Sequence, residues 1–320
     1  MLALMNAQTK SMNGRDLINA AARFGLIVAL VLFLIAQLSA SAVRAETNSI
    51  KPPDKDQIPV AFLISDGAVV IDFCGPWEVF QDVMIPSRQD MPFRLYTVAE
   101  TAKPIRTSGG MQIVPDYAIA NAPAPKVIVI PAQSEPSPAV LDWIRKSSKT
   151  TDVTMSVCTG AFVLAKTGLL DGKSATTFHG AFGRFAMKFP DVQLKRGARF
   201  VENGNLATAG GLSSGIDLAL RVVERYYGRD VAQKTAYNME YQGQGWMNPD
   251  SNQLYATPLV STAERPLCTV CGMDVDPKIA PKSVYKGTTY YFCSDGDKKT
   301  FDTDPQKFAS ATGEKIAGQN

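Results

Sequence analysis

The chain has 320 residues, of which 45% are hydrophobic and 20% are charged, proportions typical of a globular protein rather than a disordered or fibrous one. The length is enough for one domain of ordinary size and a small second one. Although the formal net charge is +3, the positive charges do not form the cluster that nucleic-acid binding requires, so we predict no nucleic-acid partner.

The first 45 residues are predicted to be a secretory signal peptide. Lys10, Arg15 and Arg23 precede an apolar run from Phe24 to Leu38, and the small residues that follow end at Ala45. This order of charged, apolar and small residues is typical of export signals. The apolar run is short for a spanning helix, which needs about 20 residues, but an uncleaved membrane anchor is the alternative. We therefore expect an exported, periplasmic protein that contacts the membrane only if the segment is retained.

The next part of the chain alternates short apolar strands with helical stretches. Residues 46–57 are polar and are predicted to be a linker, and the alternation then runs over residues 58–246. Predicted strands include Val60 to Ile64, Phe93 to Val98 and Val127 to Ile130. The last of these is apolar throughout, as strands buried on both faces are. The pattern predicts an α/β domain with a mostly parallel central sheet.

The most informative stretch runs from Asp152 to Gly180. Val153 to Val157 form an apolar run that predicts a buried strand, and helical spacing begins directly after Cys158. A residue at such a corner lies in a nucleophile elbow, here with cysteine in place of serine. The helix dipole favours a thiolate, and the amides of Thr159 and Gly160 are expected to be free to bind an anion beside the sulfur. A buried structural cysteine is the alternative.

The remaining cysteines suggest a second, separate role. Cys268, Cys271 and Cys293 lie in the last sixth of the sequence. They follow a polar stretch without periodicity, residues 247–265, that is predicted to be an interdomain linker. The chain has five cysteines in total, and an odd number cannot pair completely within one chain.

Three motifs in order resemble the ThiJ/PfpI superfamily of class I glutamine-amidotransferase-like domains. They are VIDFCGPWEVF, SVCTGAFVLAKTGLLDGKSATT and GGLSSGIDLALRVVE. The most similar branch holds isonitrile hydratases and the sensor domains of some AraC-type regulators, and the resemblance covers Val60 to Trp246. It implies a flavodoxin-like sandwich, a small-molecule substrate, no cofactor in this domain and a homodimer.

The resemblance also implies roles for individual residues. Cys158 stands at the position of the nucleophile, Thr159 where the hydratases have a threonine, and Asp72 where the superfamily places an acidic group beside the sulfur. Two anions in one small pocket would raise one pKa strongly, so we expect the carboxyl to be protonated or to share a proton with the thiol. In a hydratase-like reaction the thiolate attacks an electrophilic carbon and Asp72 protonates the neighbouring atom. The alternative role for Asp72 is a helix N-cap ahead of Gly75-Pro76.

The chain departs from the family's pattern at three positions. Thr159 stands where relatives of the protease branch have a histidine, so a Cys-His dyad of that kind is absent from the sequence. His179 is the only histidine and follows one place later than in the family's usual Thr-Thr-His, so it either lines the pocket or is a surface or core residue. Ala132-Gln133 replace the Gly-Gly that supplies an oxyanion amide, and a positive φ would be costly there.

Cys74 has two interpretations in this resemblance. It lies two residues after Asp72, so its loop is expected to approach Cys158. In an oxidising compartment the two thiols would be able to form a disulfide that blocks the nucleophile. The alternative, a buried small hydrophobic residue, is the one we favour.

The C-terminal segment resembles a YHS domain, a module of heavy-metal ATPases and metal-handling proteins. LCTVCGMDV and YYFCSDGDKKTF carry this resemblance, which covers residues 266–310. A domain this small lacks a sufficient core, and three thiolates suit a metal ion. Asp297 stands where many relatives have another cysteine. The expected ligand set for Zn, or for Cu(I) with Met273 nearby, is Cys268, Cys271, Cys293 and Asp297. A disulfide between two of the cysteines is the alternative.

The sequence therefore supports two hypotheses of different kinds. The first is a cysteine-dependent hydratase or hydrolase acting on a small electrophile, with an appended metal-binding module. The second is a non-catalytic protein for metal handling or for redox or stress sensing, whose elbow cysteine is reactive or vestigial. Asp72, Cys158 and Thr159 favour the first hypothesis, whereas the C-terminal cysteines and the missing Gly-Gly favour the second.

Overall fold

The computed structural model describes residues 49–257 and 260–309. The predicted signal peptide, residues 1–45, and the first three residues of the predicted linker lie outside the described residues. Within the described ranges, no helix has the length and apolar character that crossing a bilayer would require.

The described residues form thirteen strands and eight α-helices, which we number in chain order. The strands are β1 Ile58–Leu63, β2 Phe93–Ala99, β3 Ile105–Arg106, β4 Gln112–Ile113, β5 Tyr117–Ala118, β6 Val127–Ile130, β7 Val153–Ser156, β8 Ser174–Ala175, β9 Gln193–Leu194, β10 Phe200–Asn203, β11 Leu206–Ala209, β12 Lys282–Tyr285 and β13 Thr288–Tyr291. The helices are α1 Val70–Gln81, α2 Pro138–Ser147, α3 Gly160–Lys166, α4 Phe182–Lys188, α5 Ser214–Tyr227, α6 Arg229–Asn238, α7 Asp295–Thr303 and α8 Pro305–Ala309. Three short 3₁₀ turns cover His179–Ala181, Gly245–Met247 and Gln253–Tyr255.

A seven-stranded sheet in the order β10-β11-β7-β6-β1-β2-β5 forms the centre of the larger domain. Its neighbouring strands are parallel except for β10 and β11, which form an antiparallel hairpin. Helices α1 and α2 join β1 to β2 and β6 to β7, whereas β2 reaches its parallel neighbour β5 through the β3–β4 hairpin. The mostly parallel central sheet predicted from the alternating pattern is confirmed.

Helices cover both faces of this sheet, which explains why its central strands are apolar throughout. In β1, Val60 and Phe62 pack on the face covered by α1 and α5, whereas Ala61 and Leu63 pack on the face covered by α2, α3 and α4. All four side chains are at most 2% exposed. The two apolar layers give the sandwich that the sequence predicts.

Helix α1 begins at Val70, five residues before the start expected at Gly75, and it contains Pro76 in its interior. Two glycines explain how α1 and α5 pack closely. A methyl group on Gly75 would lie 2.9 Å from Cγ1 of Ile216, and one on Gly215 would lie 2.8 Å from Cγ1 of Val157. The first turn of α1 is thereby held beside the end of β7, where the candidate nucleophile follows.

The C-terminal domain is a β12–β13 hairpin followed by α7 and α8. Its small core consists of Cys268, Val270, Cys271, Phe292 and Phe301. Two of these five residues are cysteines from the predicted ligand set. The apolar core alone is therefore small, as expected for a domain that depends on a metal or cross-link.

Part of the predicted interdomain linker packs against the larger domain. The backbone amide of Arg199 donates to the carbonyl of Pro249 at 2.6 Å, and the amide of Asn252 donates to the carbonyl of Gly197 at 3.0 Å. The side chain of Arg199 also reaches Asn252, 3.2 Å from Nη1 to Oδ1. These contacts fix the path of the chain as it leaves the larger domain.

Candidate active site and metal centre

Cys158 lies in a tight turn between β7 and α3, with a φ of +57°. This left-handed conformation is uncommon for a residue with a side chain. Two hydrogen bonds hold it: the amide of Cys158 donates to the carbonyl of Gly210 at 2.9 Å, and Oγ1 of Thr177 donates to the carbonyl of Cys158 at 2.8 Å. A strained backbone of this kind is kept only where many surrounding contacts hold it, and it is common at functional sites.

Gly160 is required by the close approach of α3 to the sheet. A methyl group at this position would lie only 2.1 Å from the carbonyl oxygen of Ile130. The amide of Gly160 donates to the carbonyl of Val157 at 2.9 Å and so closes the turn. The expectation that this amide is free to bind an anion is therefore wrong.

The amides of Thr159 and Leu212 hydrogen-bond the sulfur of Cys158 instead. Leu212 has a φ of +42° and follows the Gly210-Gly211 pair that precedes α5. Sequence reasoning missed this donor, although a glycine pair ahead of a helix is the signal that could have found it. Thr159 is the N-cap residue of α3, and its hydroxyl makes no capping hydrogen bond. Its side chain is thus not committed to the helix.

Asp72 is fully buried in the first turn of α1. The N-cap position of this helix is Val69, so the N-cap interpretation of Asp72 is wrong. Oδ2 of Asp72 accepts a hydrogen bond from the amide of Ala132 at 3.1 Å, and the carboxyl also interacts with the thiol of Cys158. The Ala132 amide therefore points inward, where it binds the carboxyl of Asp72. Neither Ala132 nor Gln133 has a positive φ.

Burial dominates the protonation of this pair. It raises the pKa of Asp72 to about 6, against smaller opposing effects of the Ala132 amide and the Cys158 thiol. Burial and then the charge of Asp72 raise the pKa of Cys158 to about 12, although the two amide donors lower it. The expected helix-favoured thiolate is therefore not the resting state. Between about pH 6 and about pH 12 the pair therefore holds one proton, and the two groups titrate as a unit.

Gln133 and Cys74, the other two residues predicted to line the pocket, make their described contacts away from the pair of Asp72 and Cys158. Nε2 of Gln133 donates to the carbonyl of Leu63 at 3.0 Å. Cys74 is a half-buried residue of α1 that packs against the apolar core, where burial and then the charge of Glu78 raise its pKa. All five cysteines are free thiols, so the disulfide between Cys74 and Cys158 is not formed.

His179 lies where the larger domain meets the C-terminal part of the chain. Its ring stacks on Tyr255 with a centroid separation of 4.5 Å and meets Phe178 edge-on at 4.5 Å. Burial lowers the pKa of His179, and the charge of Asp274 opposes this effect. None of the contacts described for His179 is to Cys158, so the structure does not bring it into the pair.

The four predicted metal ligands converge in the C-terminal domain. Their ligand atoms all lie within 4.8 Å of one another. Oδ2 of Asp297 is 3.4 Å from Sγ of Cys268 and 3.3 Å from Sγ of Cys293, and Sγ of Cys271 is 3.3 Å from Sγ of Cys293. Three sulfurs and one oxygen at these separations fit a tetrahedral zinc site. The N-terminal turn of α7 presents Asp297, while Cys268 and Cys271 come from the loop before β12.

Comparisons with known proteins agree with this architecture. The DJ-1/PfpI family model matches residues 59–225, and the YHS domain model matches residues 269–312. The isonitrile hydratase of Pseudomonas putida is 32% identical over 189 residues, which cover 58% of this chain and 78% of the hydratase. The HTH-type transcriptional regulator CdhR of Pseudomonas aeruginosa is 27% identical over 53% of this chain, but the match spans only 51% of the regulator.

Solved structures show the same fold in the larger domain. A ThiJ/PfpI family protein from Pseudomonas syringae superimposes with a TM-score of 0.53 and 24% identity, over 59% of this chain and 77% of that protein. Drosophila melanogaster DJ-1beta superimposes with a TM-score of 0.50 and 20% identity, over 59% of this chain and all of the other.

Proposed function

Because the chain belongs to the DJ-1/PfpI family and its Asp72 and Cys158 share one proton in a buried site, we propose that it is a cysteine-dependent hydratase. The substrate is a small molecule with an electrophilic carbon, and isonitriles are the first class to test. The burial of the Asp72 carboxyl against the thiol of Cys158, in the turn between β7 and α3, is the observation that carries this proposal. The similarity to an isonitrile hydratase, at 32% identity, supports the choice of substrate class.

The resting pair is set up for proton transfer followed by nucleophilic attack. Asp72, with a pKa raised to about 6, takes the proton from the thiol of Cys158 as the sulfur approaches the isonitrile carbon. Asp72 then delivers this proton to the same carbon, so that one S–C bond and one C–H bond form. A carboxyl with a pKa near the working pH is suited to both roles. The product of this step is a covalent thioimidate on Cys158.

Water then completes the reaction. Its oxygen adds to the thioimidate carbon, and one proton of the water goes to the nitrogen. The C–S bond then breaks, the second proton returns to the sulfur through Asp72, and an N-substituted formamide leaves. The amides of Thr159 and Leu212, which bind the sulfur in the resting state, stabilise negative charge on it as it forms and departs. We assign the hydroxyl of Thr159, which makes no capping hydrogen bond, to hold the attacking water.

The C-terminal domain adds a metal site to this enzyme. We infer that Cys268, Cys271, Cys293 and Asp297 bind zinc, which would stabilise a domain with so small an apolar core. The export signal proposed for residues 1–45 would place the protein in the periplasm, and we propose a homodimer by analogy with the family.

The second candidate function is metal handling without catalysis. The convergence of four ligand atoms within 4.8 Å favours it, because this arrangement does not depend on the chemistry of Cys158. In that case the pair in the larger domain would be a vestige, and the protein would bind metal without consuming isonitriles.

Turnover of a simple alkyl isonitrile, followed by NMR detection of the formamide, tests the enzyme. We expect Cys158→Ala to abolish formamide production and Asp72→Asn to lower kcat at least about 100-fold, the usual contribution of a general acid. Cys74→Ala is the matched cysteine control, because that thiol packs in the core, and it should retain activity. Formamide production that survives Cys158→Ala would overturn the mechanism. A wild-type protein that binds zinc but forms neither product nor a covalent adduct on Cys158 would favour metal handling.

A further inference from the structure

Residues 177–181, which we call the bridging segment, contact both candidate sites. At one end, Oγ1 of Thr177 donates to the carbonyl of Cys158 at 2.8 Å. At the other end, Gly180 packs against the loop that carries two of the metal ligands. A methyl group on Gly180 would lie 3.0 Å from Cγ of Met273, and one on Gly272 would lie 3.7 Å from the carbonyl oxygen of Gly180.

The bridging segment also contacts Gly211, the residue before the second amide donor to the sulfur. The ring of Phe178 lies so close to Gly211 that a methyl group there would approach its Cδ2 to 2.6 Å. The next residue, Leu212, donates its amide to the sulfur of Cys158. The bridging segment therefore contacts the backbone of Cys158 through Thr177 and contacts Gly211, the neighbour of Leu212, through Phe178.

His179 adds a second interaction with the loop that carries Cys268 and Cys271, which we call the metal loop. The ring of His179 is held between those of Phe178 and Tyr255, at 4.5 Å from each. Burial lowers the pKa of His179, and the charge of Asp274 in the metal loop opposes this effect. Asp274 directly follows Met273, so two consecutive residues of the metal loop act on the bridging segment. The C-terminal domain is thus packed against the segment next to Cys158 rather than tethered at a distance.

We propose that metal binding by the C-terminal domain controls access to Cys158. Gly272 and Met273 follow Cys271 directly, so ligation of Cys268 and Cys271 fixes the surface against which Gly180 packs. Cys158 is only 6% exposed, and a reagent reaches its sulfur only when the residues around it move. A metal ion that holds the loop against Gly180 restrains the bridging segment, which is hydrogen-bonded to Cys158 through Thr177, and so slows this access. The metal site and Cys158 are thus two distinct sites joined by the bridging segment, which is what coupling between them requires.

The rate at which N-ethylmaleimide labels Cys158 measures this coupling without any need for a substrate. Mass spectrometry of the Cys158 peptide gives the rate with Zn²⁺ and in its absence. We expect Zn²⁺ to slow labelling at least about fivefold, the lower end of ordinary coupling between sites. The Cys74 peptide is the internal reference, since Cys74 is a residue of α1 and its rate should not change.

Three variants separate coupling from other effects. Gly180→Ala places a methyl group 2.6 Å from Cε1 of Phe178 and 3.0 Å from Cγ of Met273, so the effect of Zn²⁺ should fall below about twofold, outside the range of ordinary coupling. Gly183→Ala is the matched control, because no atom lies within 4 Å of its added methyl group, and it should keep the full effect. In Cys268→Ser/Cys271→Ser, Zn²⁺ should no longer slow labelling.

Coupling must also be reciprocal, which supplies a test on the wild-type protein alone. Protein labelled at Cys158 should bind Zn²⁺ more weakly than unlabelled protein, by about fivefold or more, in a competition titration against a chromophoric chelator. Equal labelling rates with and without Zn²⁺ would overturn the proposal, as would equal Zn²⁺ affinities of labelled and unlabelled protein. Slowing by Zn²⁺ that persists in Cys268→Ser/Cys271→Ser would also overturn it, because Zn²⁺ would then act on Cys158 directly.

Discussion

The protonation of Asp72 leads to a prediction that Asp72→Asn stabilises the protein at neutral pH. Burial raises the pKa of Asp72 from 3.8 to about 6, a shift of about 2 units. Each unit corresponds to 1.36 kcal/mol, so ionised Asp72 costs the folded state up to about 3 kcal/mol. Asparagine keeps an oxygen that accepts from the Ala132 amide and removes the charge. We expect it to recover most of this free energy.

The sign of the pH dependence follows from the direction of the shift. A carboxyl whose pKa is higher in the folded than in the unfolded state favours folding while it is protonated. For Asp72 this contribution is fully present below pH 3.8 and is lost as the pH rises to about 6. The stability gained by Asp72→Asn should therefore be close to zero at pH 4, increase up to pH 6 and stay constant above it.

Urea unfolding of both proteins between pH 4 and pH 8 measures this difference. Asp217→Asn is the matched control, because that carboxylate is also fully buried but is paired with Arg199, 2.6 Å from Oδ2 to Nε. It also accepts from the amide of Trp246 at 2.9 Å. Removing its charge should destabilise the protein by about 3–5 kcal/mol, the usual result of breaking a buried ion pair. An Asp72→Asn protein that is less stable at pH 7, or whose difference from wild type does not change with pH, would refute the assignment.

Two further predictions concern the turn after Cys158 and the metal centre. Gly160→Ala should destabilise the protein by about 1–3 kcal/mol in urea unfolding, because its methyl group would meet the Ile130 carbonyl and overpacking costs this much; an unchanged midpoint would contradict the packing of α3. Cys268→Ser should weaken Zn²⁺ binding at least tenfold, or about 1.4 kcal/mol, in a chelator competition, whereas Cys74→Ser should bind like wild type; equal affinities would exclude Cys268 as a ligand.

Local patterns in the sequence were sufficient for the parts of the site that depend on neighbours along the chain. The apolar run before Cys158 and the helical spacing after it placed this residue in a strand-to-helix turn. The resemblance to YHS domains gave the four ligands that converge in the structure, with Asp297 where many relatives have another cysteine. Local spacing sets the geometry within the pair Cys268 and Cys271 and within the pair Cys293 and Asp297, but the β12–β13 hairpin lies between the two pairs.

Contacts between distant segments were not predictable in the same way. The start of α1 was placed at Gly75-Pro76 because proline is usual in a first turn, but close packing against α5 holds the helix together back to Val70. Leu212 reaches the sulfur only because β11 lies beside β7. Both outcomes depend on contacts between segments far apart in the chain, which no local pattern describes. The amide of Gly160 is a local exception, because its hydrogen bond to the Val157 carbonyl closes the turn itself.

The protonation state of Cys158 bears on the choice between an enzyme and a redox sensor. A sensing cysteine reacts as an exposed thiolate with a low pKa, whereas the sulfur here is 6% exposed and its pKa is raised to about 12. The dipole of α3, a helix of seven residues, and the two amides lower the pKa of Cys158 by less than burial and the charge of Asp72 raise it. Such a thiol resists oxidation at rest. In the proposed reaction it becomes a nucleophile when its proton moves to Asp72, a transfer that the approach of an electrophile to the sulfur would favour.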